Sequence, residues 1–552
     1  MADLVLGPLL RYVSETEATV WVETSEACEV EVLGRREPTF RVEGHHYALV
    51  CIEDLEPARR YEYEVKLDGE VCWPDPKLEL PPSAIRTVDP EEDLDICFGS
   101  CRVAVPHEAP FTEPKDELEE GHEVDALWVL AHQMIEGERD DWPEHLFMLG
   151  DQVYVDEGSP KTRKKIKERR GTDTQPFDEV TDFEEYTWLY KESWEEPLIR
   201  WLFSCVSVSM LWDDHDMSDD WNISRGWLLE MQQKSWWHRR AVGCIASYWI
   251  YQHLGNLSPR ELAENDLYQR VRGNRRAEEE IFPWAHRIQS SGSGTRWSFC
   301  RDFGRTRAIF IDARAARVLE EDRRAMVDDE EWEWIVEHAE GDFDHLLICT
   351  TIPWLLSPAF DRFEAWNEQM VEGAAWGKLA AWASEKLRRE VDFDHWAAFG
   401  ESFAKLRDLL HEVSTGKRGK APATVVVLSG DVHHAYLSEV GFPRSADGDG
   451  AERAPVYQAV CSPYRNPLDE NERRVVRWGF AKPLLVFSRL LAKAAGTPDP
   501  GIRWRTLDGP YFDNQVATIE IDGRHATLRL DKTVPGEDGK DALEETFSRR
   551  LA

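Results

Sequence analysis

Four times in this 552-residue chain a short apolar stretch runs straight into side chains that can ligate a metal. In ICFGSCR the apolar run stops at Gly99, and Cys101 lies just beyond it. HLFMLGDQVYVDE places Asp151 directly after a glycine and Tyr154 three residues later. SMLWDDHDMSDDW follows an apolar run with a dense set of acids and one histidine, and TVVVLSGDVHHAY sets Asp431 and His433 two apart after Gly430. In open α/β sheets, ligands collect beyond the carboxyl ends of the strands. A lone cysteine or a lone Gly-Asp pair is ordinary, but four apolar strands each ending in ligand chemistry require a sheet that gathers those ends around a metal site.

Within the clusters, residue type suggests role. A carboxylate at Asp151 can bridge two cations while the Tyr154 phenolate binds one of them. Asp214 is placed to ligate a metal, and His215 to reach a leaving-group oxygen as a general acid, with Asp216 orienting it. Asp219 and Asp220 are expected to cap the following helix. His434 reads as structural, an outer-shell partner being the alternative. Arg102, beside the cysteine, is a candidate phosphate contact, with a surface ion pair as the alternative reading. No P-loop, nucleophile elbow or dinucleotide fingerprint competes.

Residues 1–88 read as a small all-β domain. Thr19–Glu23, Glu29–Val32 and Tyr61–Val65 alternate with period two, and LEPARRYEYEV resembles the corner of fibronectin III and immunoglobulin-like sandwiches. The acidic stretch at 88–95 reads as a linker. Residues 94–552 then change to an α/β pattern. Strands are expected at Leu94–Gly99, His145–Gly150, Val206–Trp212, Arg307–Ile311, His345–Thr350 and Thr424–Leu428. Helices are expected near 122–136, 182–202, 228–253, 328–339, 375–390 and 399–413. The basic island PKTRKKIKERR at 160–170 reads as a solvated loop or helix face, with a substrate-facing lid as the alternative.

A formal charge of −39 argues against a general nucleic-acid or anionic-membrane surface. With neither a signal-peptide pattern nor a long apolar span, the expectation is a cytoplasmic protein with no membrane partner. Ten scattered cysteines suit buried thiols in a reducing compartment. The 24 tryptophans are expected to pack between helices and sheet rather than to form a ligand platform.

Taken together, Phe98–Cys101, Gly150–Tyr154, Trp212–Asp216 and Gly430–His433 resemble the motifs of the PhoD-like alkaline phosphatases, within the calcineurin-like metallophosphoesterases. The resemblance spans about residues 94–530 and extends to the β-rich N-terminal module. It implies a four-layer αββα sandwich with metals at the strand ends. By that likeness Cys101, Asp151, Tyr154 and His433 hold one ion, expected to be Fe3+. Asp151 bridges to a second ion on Asp214 and Asp431, with Ca2+ the family-based expectation. The implied reaction is hydrolysis of a small phosphoric ester, monoester or diester, by a metal-bound hydroxide. An inactive scaffold that binds through its β-sandwich is the alternative. The chain departs from the family in having Asp216 and then Asp219-Asp220 where a glutamate and an asparagine pair are usual. VDFDHWAAF at 391–399 resembles a divergent Trp-Asp-Gly-Tyr segment, in which His395 and Trp396 either shape the pocket or pack the core.

Overall fold

The computed structural model describes residues 2–90, 93–292, 294–371, 375–443, 453–536 and 540–552. Positions 91–92 of the expected linker lie outside the described residues. Alternating residues in the N-terminal part build antiparallel sheets. One runs in the order Leu4–Val13, Ala18–Thr24, His45–Ile52, Phe40–Val42, and a second in the order Arg35–Pro38, Glu29–Val32, Val65–Leu67, Glu70–Trp73. Arg60–Glu62 pairs with Ala84–Arg86. The expected strand Tyr61–Val65 is therefore split between two sheets. At that corner the Tyr61 hydroxyl accepts the Glu56 amide at 2.8 Å, the back-bonded tyrosine that sandwich corners use.

The larger part is a mixed α/β sandwich. One sheet has six strands in the order Ser207–Leu211, His145–Leu149, Leu94–Gly99, Gln515–Asp522, His525–Val534, Ala542–Arg550. The other has seven, in the order Phe299–Phe303, Thr306–Ile311, His345–Thr350, Thr424–Ser429, Val456–Val460, Ala435–Gly441, Arg503–Tyr511. Phe98, Phe147 and Leu149 from the first sheet pack on Phe310, Leu347 and Leu428 from the second, so an apolar layer lies between the sheets. Helices cover the outer faces with their own cores, giving the expected four-layer αββα arrangement. Trp194, Trp201, Trp212, Trp221 and Trp237 are buried in this packing.

The strands that end in ligand chemistry are parallel neighbours. Leu94–Gly99 pairs with His145–Leu149, and that strand pairs with Ser207–Leu211. Thr424–Ser429 sits centrally in the other sheet, parallel to its neighbours on both sides. Equal strand direction brings their carboxyl ends to one rim.

Several helices are shorter than the pattern suggests. The 182–202 region breaks at Pro197 into Phe183–Trp194 and Pro197–Cys205, as a proline at a first helical position requires. The 228–253 region becomes Arg225–Gln232, Trp237–Tyr248 and a π-turn at Trp249–His253. The basic island forms the helix Pro160–Arg170, and Lys161, Arg163, Arg169 and Arg170 form ion pairs with Glu195, Asp178, Asp182 and Glu185.

A buried arginine is among the residues that fasten the N-terminal sheet to this rim. Arg11 is fully buried and donates to the carbonyls of Val208 (3.0 Å), Tyr251 (2.8 Å) and Gln252 (2.8 Å), and to Asn256 Oδ1 (3.1 Å). Two of those acceptors belong to the π-turn. Asn256 in turn holds both backbone groups of Met210, so the strand that leads to Asp213 and Asp214 is clamped from the N-terminal side.

Candidate metal centre

Tight turns at the strand ends aim the candidate ligands inward. Cys101, Asp151, Asp431 and His433 all have positive φ, between 49° and 69°, although none is glycine. Such backbone costs about 1–3 kcal/mol per residue and persists where the surroundings dictate it. The glycines ahead of the two aspartates are needed for close approach. A Cβ on Gly150, which has φ +117°, would lie 2.8 Å from Asp213 Cβ, and one on Gly430 would overlap the Ser100 hydroxyl. Ser100 Oγ in turn accepts the Asp431 amide at 2.9 Å, tying the two sheets together across the site.

The side chains meet as two groups. In the first, Cys101 Sγ lies 3.3 Å from Asp151 Oδ2, and the Tyr154 hydroxyl lies 3.3 Å from the same oxygen. One ligand atom each from Cys101, Asp151 and His433 falls within 4.8 Å of the others. Asp151 Oδ1 is buried without a hydrogen-bond partner. Asn466 donates to the Tyr154 hydroxyl at 3.3 Å and fixes its position. Burial, with the neighbouring Asp214, Asp216 and Asp431 carboxylates, outweighs the His215 charge and pushes Asp151 well above the usual carboxylate range. Burial and the Asp151 charge also push Cys101 and Tyr154 up. Burial lowers His433 to about 3, leaving a neutral imidazole with a lone pair to give. An orphaned carboxylate oxygen, a thiol, a phenol and a neutral imidazole form a donor set that suits a metal ion, whose charge would reverse those upward shifts.

The second group already contains cations. Asp151, Asp213 and Asp214 also bring ligand atoms within 4.8 Å of one another. Arg314, 1% exposed in its side chain, forms ion pairs with Asp213, with Asp394, with Asp214 at 3.3 Å and with Asp431 at 3.1 Å. His395 Nε2 lies 3.2 Å from the other oxygen of Asp431, and its Nδ1 lies 2.8 Å from Glu364. Asp214 Oδ2 accepts the Asp220 amide at 3.2 Å. Burial would raise Asp431, but the His395 hydrogen bond and the Arg314 charge outweigh it and hold Asp431 below the usual range. A second ion on Asp214 and Asp431 would therefore share those carboxylates with Arg314 and His395.

Around this centre the structure redistributes several expected roles. The carboxylate on His215 is Asp156, with Oδ1 at 3.0 Å from Nδ1. Asp216 instead accepts the Asp213 amide at 2.9 Å and Gln252 at 3.2 Å, and burial raises it to about 7. Asp156 also accepts the Asp219 amide, while Ser224 caps the helix that begins at Arg225, so neither Asp219 nor Asp220 is its cap. Arg102 is buried on Asp125 (2.8 Å) and the Ser193 carbonyl (2.8 Å), an ion pair inside the protein rather than the surface pair considered as the alternative to a phosphate contact. His434 donates through Nδ1 to the Val432 carbonyl at 2.6 Å and packs beside Tyr436 and Phe512, as a structural residue does. Asp213, Arg314, Asp156 and the His395–Glu364 pair are the site members that sequence reasoning passed over or left open.

Comparison with known proteins bears on both parts of the chain. Residues 130–275 match the family described as PhoD-like phosphatase, and residues 1–85 match a domain of unknown function, DUF7800. No curated protein matches the chain. Among solved structures, PhoD superposes with a TM-score of 0.58 at 13% identity, covering 100% of this chain and 92% of that one. Purple acid phosphatase PPD1 from yellow lupin (Lupinus luteus) seeds gives a TM-score of 0.47 at 12% identity, covering 99% of this chain and 74% of that one. The resemblance to the PhoD-like phosphatases and the fold it implies are thus borne out.

Proposed function

From a chain with a PhoD-like phosphatase segment, we propose a metal-dependent hydrolase of phosphoric esters. Its primary ion site is Cys101, Asp151, Tyr154 and His433, and Asp214 and Asp431 serve a second ion. The observation that carries this reading is the convergence of Cys101, Asp151 and His433 ligand atoms within 4.8 Å around a buried carboxylate oxygen with no partner. Cations held there would acidify a water molecule and neutralise charge on a phosphoryl group.

The protein's own residues supply the rest. Arg314 holds Asp213, Asp214 and Asp431 in register and offsets their mutual repulsion. Asp156 fixes the His215 ring through Nδ1, leaving Nε2 to deliver a proton to the departing oxygen. Thiolate and phenolate favour iron in the primary site, and carboxylate oxygens favour calcium in the other. We take residues 1–88 as a separate β-domain that braces the rim through Arg11, and residues 94–552 as the catalytic domain.

Elemental analysis of the purified chain, followed by assays on p-nitrophenyl phosphate and bis(p-nitrophenyl) phosphate, tests this reading. Close to one iron per chain, a second divalent ion and turnover of either ester are expected. A chain that takes up no metal after reconstitution with iron and calcium and hydrolyses neither ester is an inactive scaffold instead.

A further inference from the structure

Three helices on the outside of the fold present large apolar residues to solvent. In Lys482–Ala495 the buried side chains are the small Ser488 and Ala492, whereas Val486, Phe487 and Leu490 are exposed, Leu490 at 63%. With Pro483 and Ala494, those residues form one stripe at helical spacing on the outer face. In Glu470–Gly479 only Gly479 is buried, while Val475 and Trp478, three apart, are exposed, Trp478 at 69%. In Lys378–Glu390 Ser384 and Arg388 are buried while Leu379 and Trp382 stand out, Trp382 at 70%. The helix Pro358–Val371 packs against both Lys378–Glu390 and Lys482–Ala495 and holds them on the outside of the fold. A surface helix of an isolated globule turns its large apolar residues inward; these bury Leu387, Val476, Leu484, Leu485 and Leu491 only in part and leave a second apolar set on the outside.

Charge identifies what covers that face. Between Glu470 and Ala495 there are six basic residues (Arg473, Arg474, Arg477, Lys482, Arg489, Lys493) against two acidic residues, Glu470 and Glu472, in a chain of net charge −39. Arg474 and Arg477 pair with Glu470, and Arg473 with Asp116 and Glu123. Lys482, Arg489 and Lys493 are exposed and have no ion pair among the described residues. They occupy positions beside the apolar stripe, the arrangement of an interfacial helix whose cations meet anionic headgroups while its apolar face enters the acyl boundary. Screening over about 8 Å at physiological salt lets this basic face act locally despite the acidic remainder. None of the described helices is long and apolar enough to cross a membrane, so the contact is with one surface only.

Position adds a consequence. Phe480, which joins the two C-terminal helices, has its ring 6.3 Å from that of His434, the neighbour of His433. Arg477 lies over Phe512, whose ring is 5.9 Å from His434, and Asn466, just ahead of the helix pair, holds the Tyr154 hydroxyl. We propose that Glu470–Gly479 and Lys482–Ala495 form a docking surface for an anionic lipid bilayer, seating the protein with the rim of its metal centre near the headgroups.

The test is co-sedimentation of the full, metal-loaded chain with vesicles of phosphatidylcholine alone or mixed with phosphatidylglycerol. Vesicle binding is read without turnover, so it stands or falls separately from the hydrolytic reading. Expected are binding to the phosphatidylglycerol vesicles that weakens in high salt and a loss of about tenfold or more in partitioning for W478S/F487S/L490S. K482E/R489E/K493E is expected to remove the salt-sensitive part. Circular dichroism should be unchanged in both variants, since the altered side chains are exposed. The proposal is overturned if the wild type ignores phosphatidylglycerol vesicles or the apolar variant binds them equally. It is also overturned if the wild type is a dimer that W478S/F487S/L490S dissolves while neither protein binds vesicles, which would give the face to a second copy of the chain.

Discussion

The two halves of the centre solve one electrostatic problem in opposite ways. Around Cys101, Asp151, Tyr154 and His433 one Asp151 oxygen has no partner, and among the described residues no ion pair reaches that carboxylate. Around Asp213, Asp214, Asp394 and Asp431 the carboxylates are met by Arg314 and His395, although Asp213 Oδ2 is likewise buried without a hydrogen-bond partner. A buried carboxylate must be neutralised, hydrogen-bonded or protonated. One half leaves that task to an ion from solution; the other performs much of it with side chains. The difference teaches that a cluster of acids in a fold of this kind is not by itself a count of metals.

The largest effect should come from Asp151, the residue common to both halves. Asp151→Asn is expected to lower hydrolysis at least about a thousandfold, equivalent to about 4 kcal/mol of transition-state stabilisation, and to lose metal from the primary site. Turnover and metal content measured on the same preparation check it. Near-normal values for both would dissolve the distinction between the halves.

Arg314 gives the sharper contrast. Arg314→Leu strands several buried carboxylates and is expected to cost about 3–5 kcal/mol of stability in metal-free protein. Added calcium should recover part of that loss in the variant and raise the wild-type melting temperature far less, because in the wild type the guanidinium already neutralises the acids. Thermal melts with and without calcium decide the matter. Equal calcium responses would mean that the second half is as open to ions as the first.

A smaller effect is expected at Asp156, which touches neither group of ligands but holds His215. Asp156→Asn should slow esters with poorly leaving alkoxides by about ten- to a hundredfold, and p-nitrophenyl esters, whose leaving group needs little protonation, much less. A uniform slowing across leaving groups would separate His215 from proton delivery.

The sequence exposes the first half far better than the second, and the reason is physical. Cys101, Asp151 and His433 each follow an apolar strand within a few residues, so a local pattern reveals them, as it does Asp214 and Asp431 but not the cations that meet those two. Arg314 carries the same local signal, since the strand Thr306–Ile311 runs straight into Asp312-x-Arg314. It escapes notice because a cation is not a metal ligand. Asp156 reaches His215 only through the folding of the loop after Tyr154, and His395 reaches Asp431 from 36 residues away. Among the elements of the fold, parallel strands with continuous apolar runs were legible. The strand Gln515–Asp522, which pairs antiparallel with Leu94–Gly99 from the far end of the chain, was not, because nothing in its own sequence names its partner. The helices with exposed apolar residues show the same limit: periodicity finds their apolar stripes but does not say which way they face.

A cation–carboxylate cluster outside the centre supplies the control for Arg314. His45 on the N-terminal sheet bridges Glu23 (2.8 Å) and Glu184 (3.0 Å), the latter on the helix Phe183–Trp194. Burial alone would lower His45, but its hydrogen bonds to Glu184 and Glu23 outweigh that and raise it from 6.5 to about 9. A histidine whose folded value exceeds its unfolded value stabilises the fold fully below the unfolded value, and that contribution disappears as pH rises through the folded one. Stability should therefore fall by about 1–3 kcal/mol between pH 6.5 and 9 through this cluster, and His45→Gln should remove that slope while leaving the centre intact. Arg314 keeps its charge across the same range, so its contribution should not change. Denaturant melts of the wild type and His45→Gln across this window measure the difference. A slope that survives in His45→Gln would place the titrating group elsewhere and leave Arg314 without its contrast.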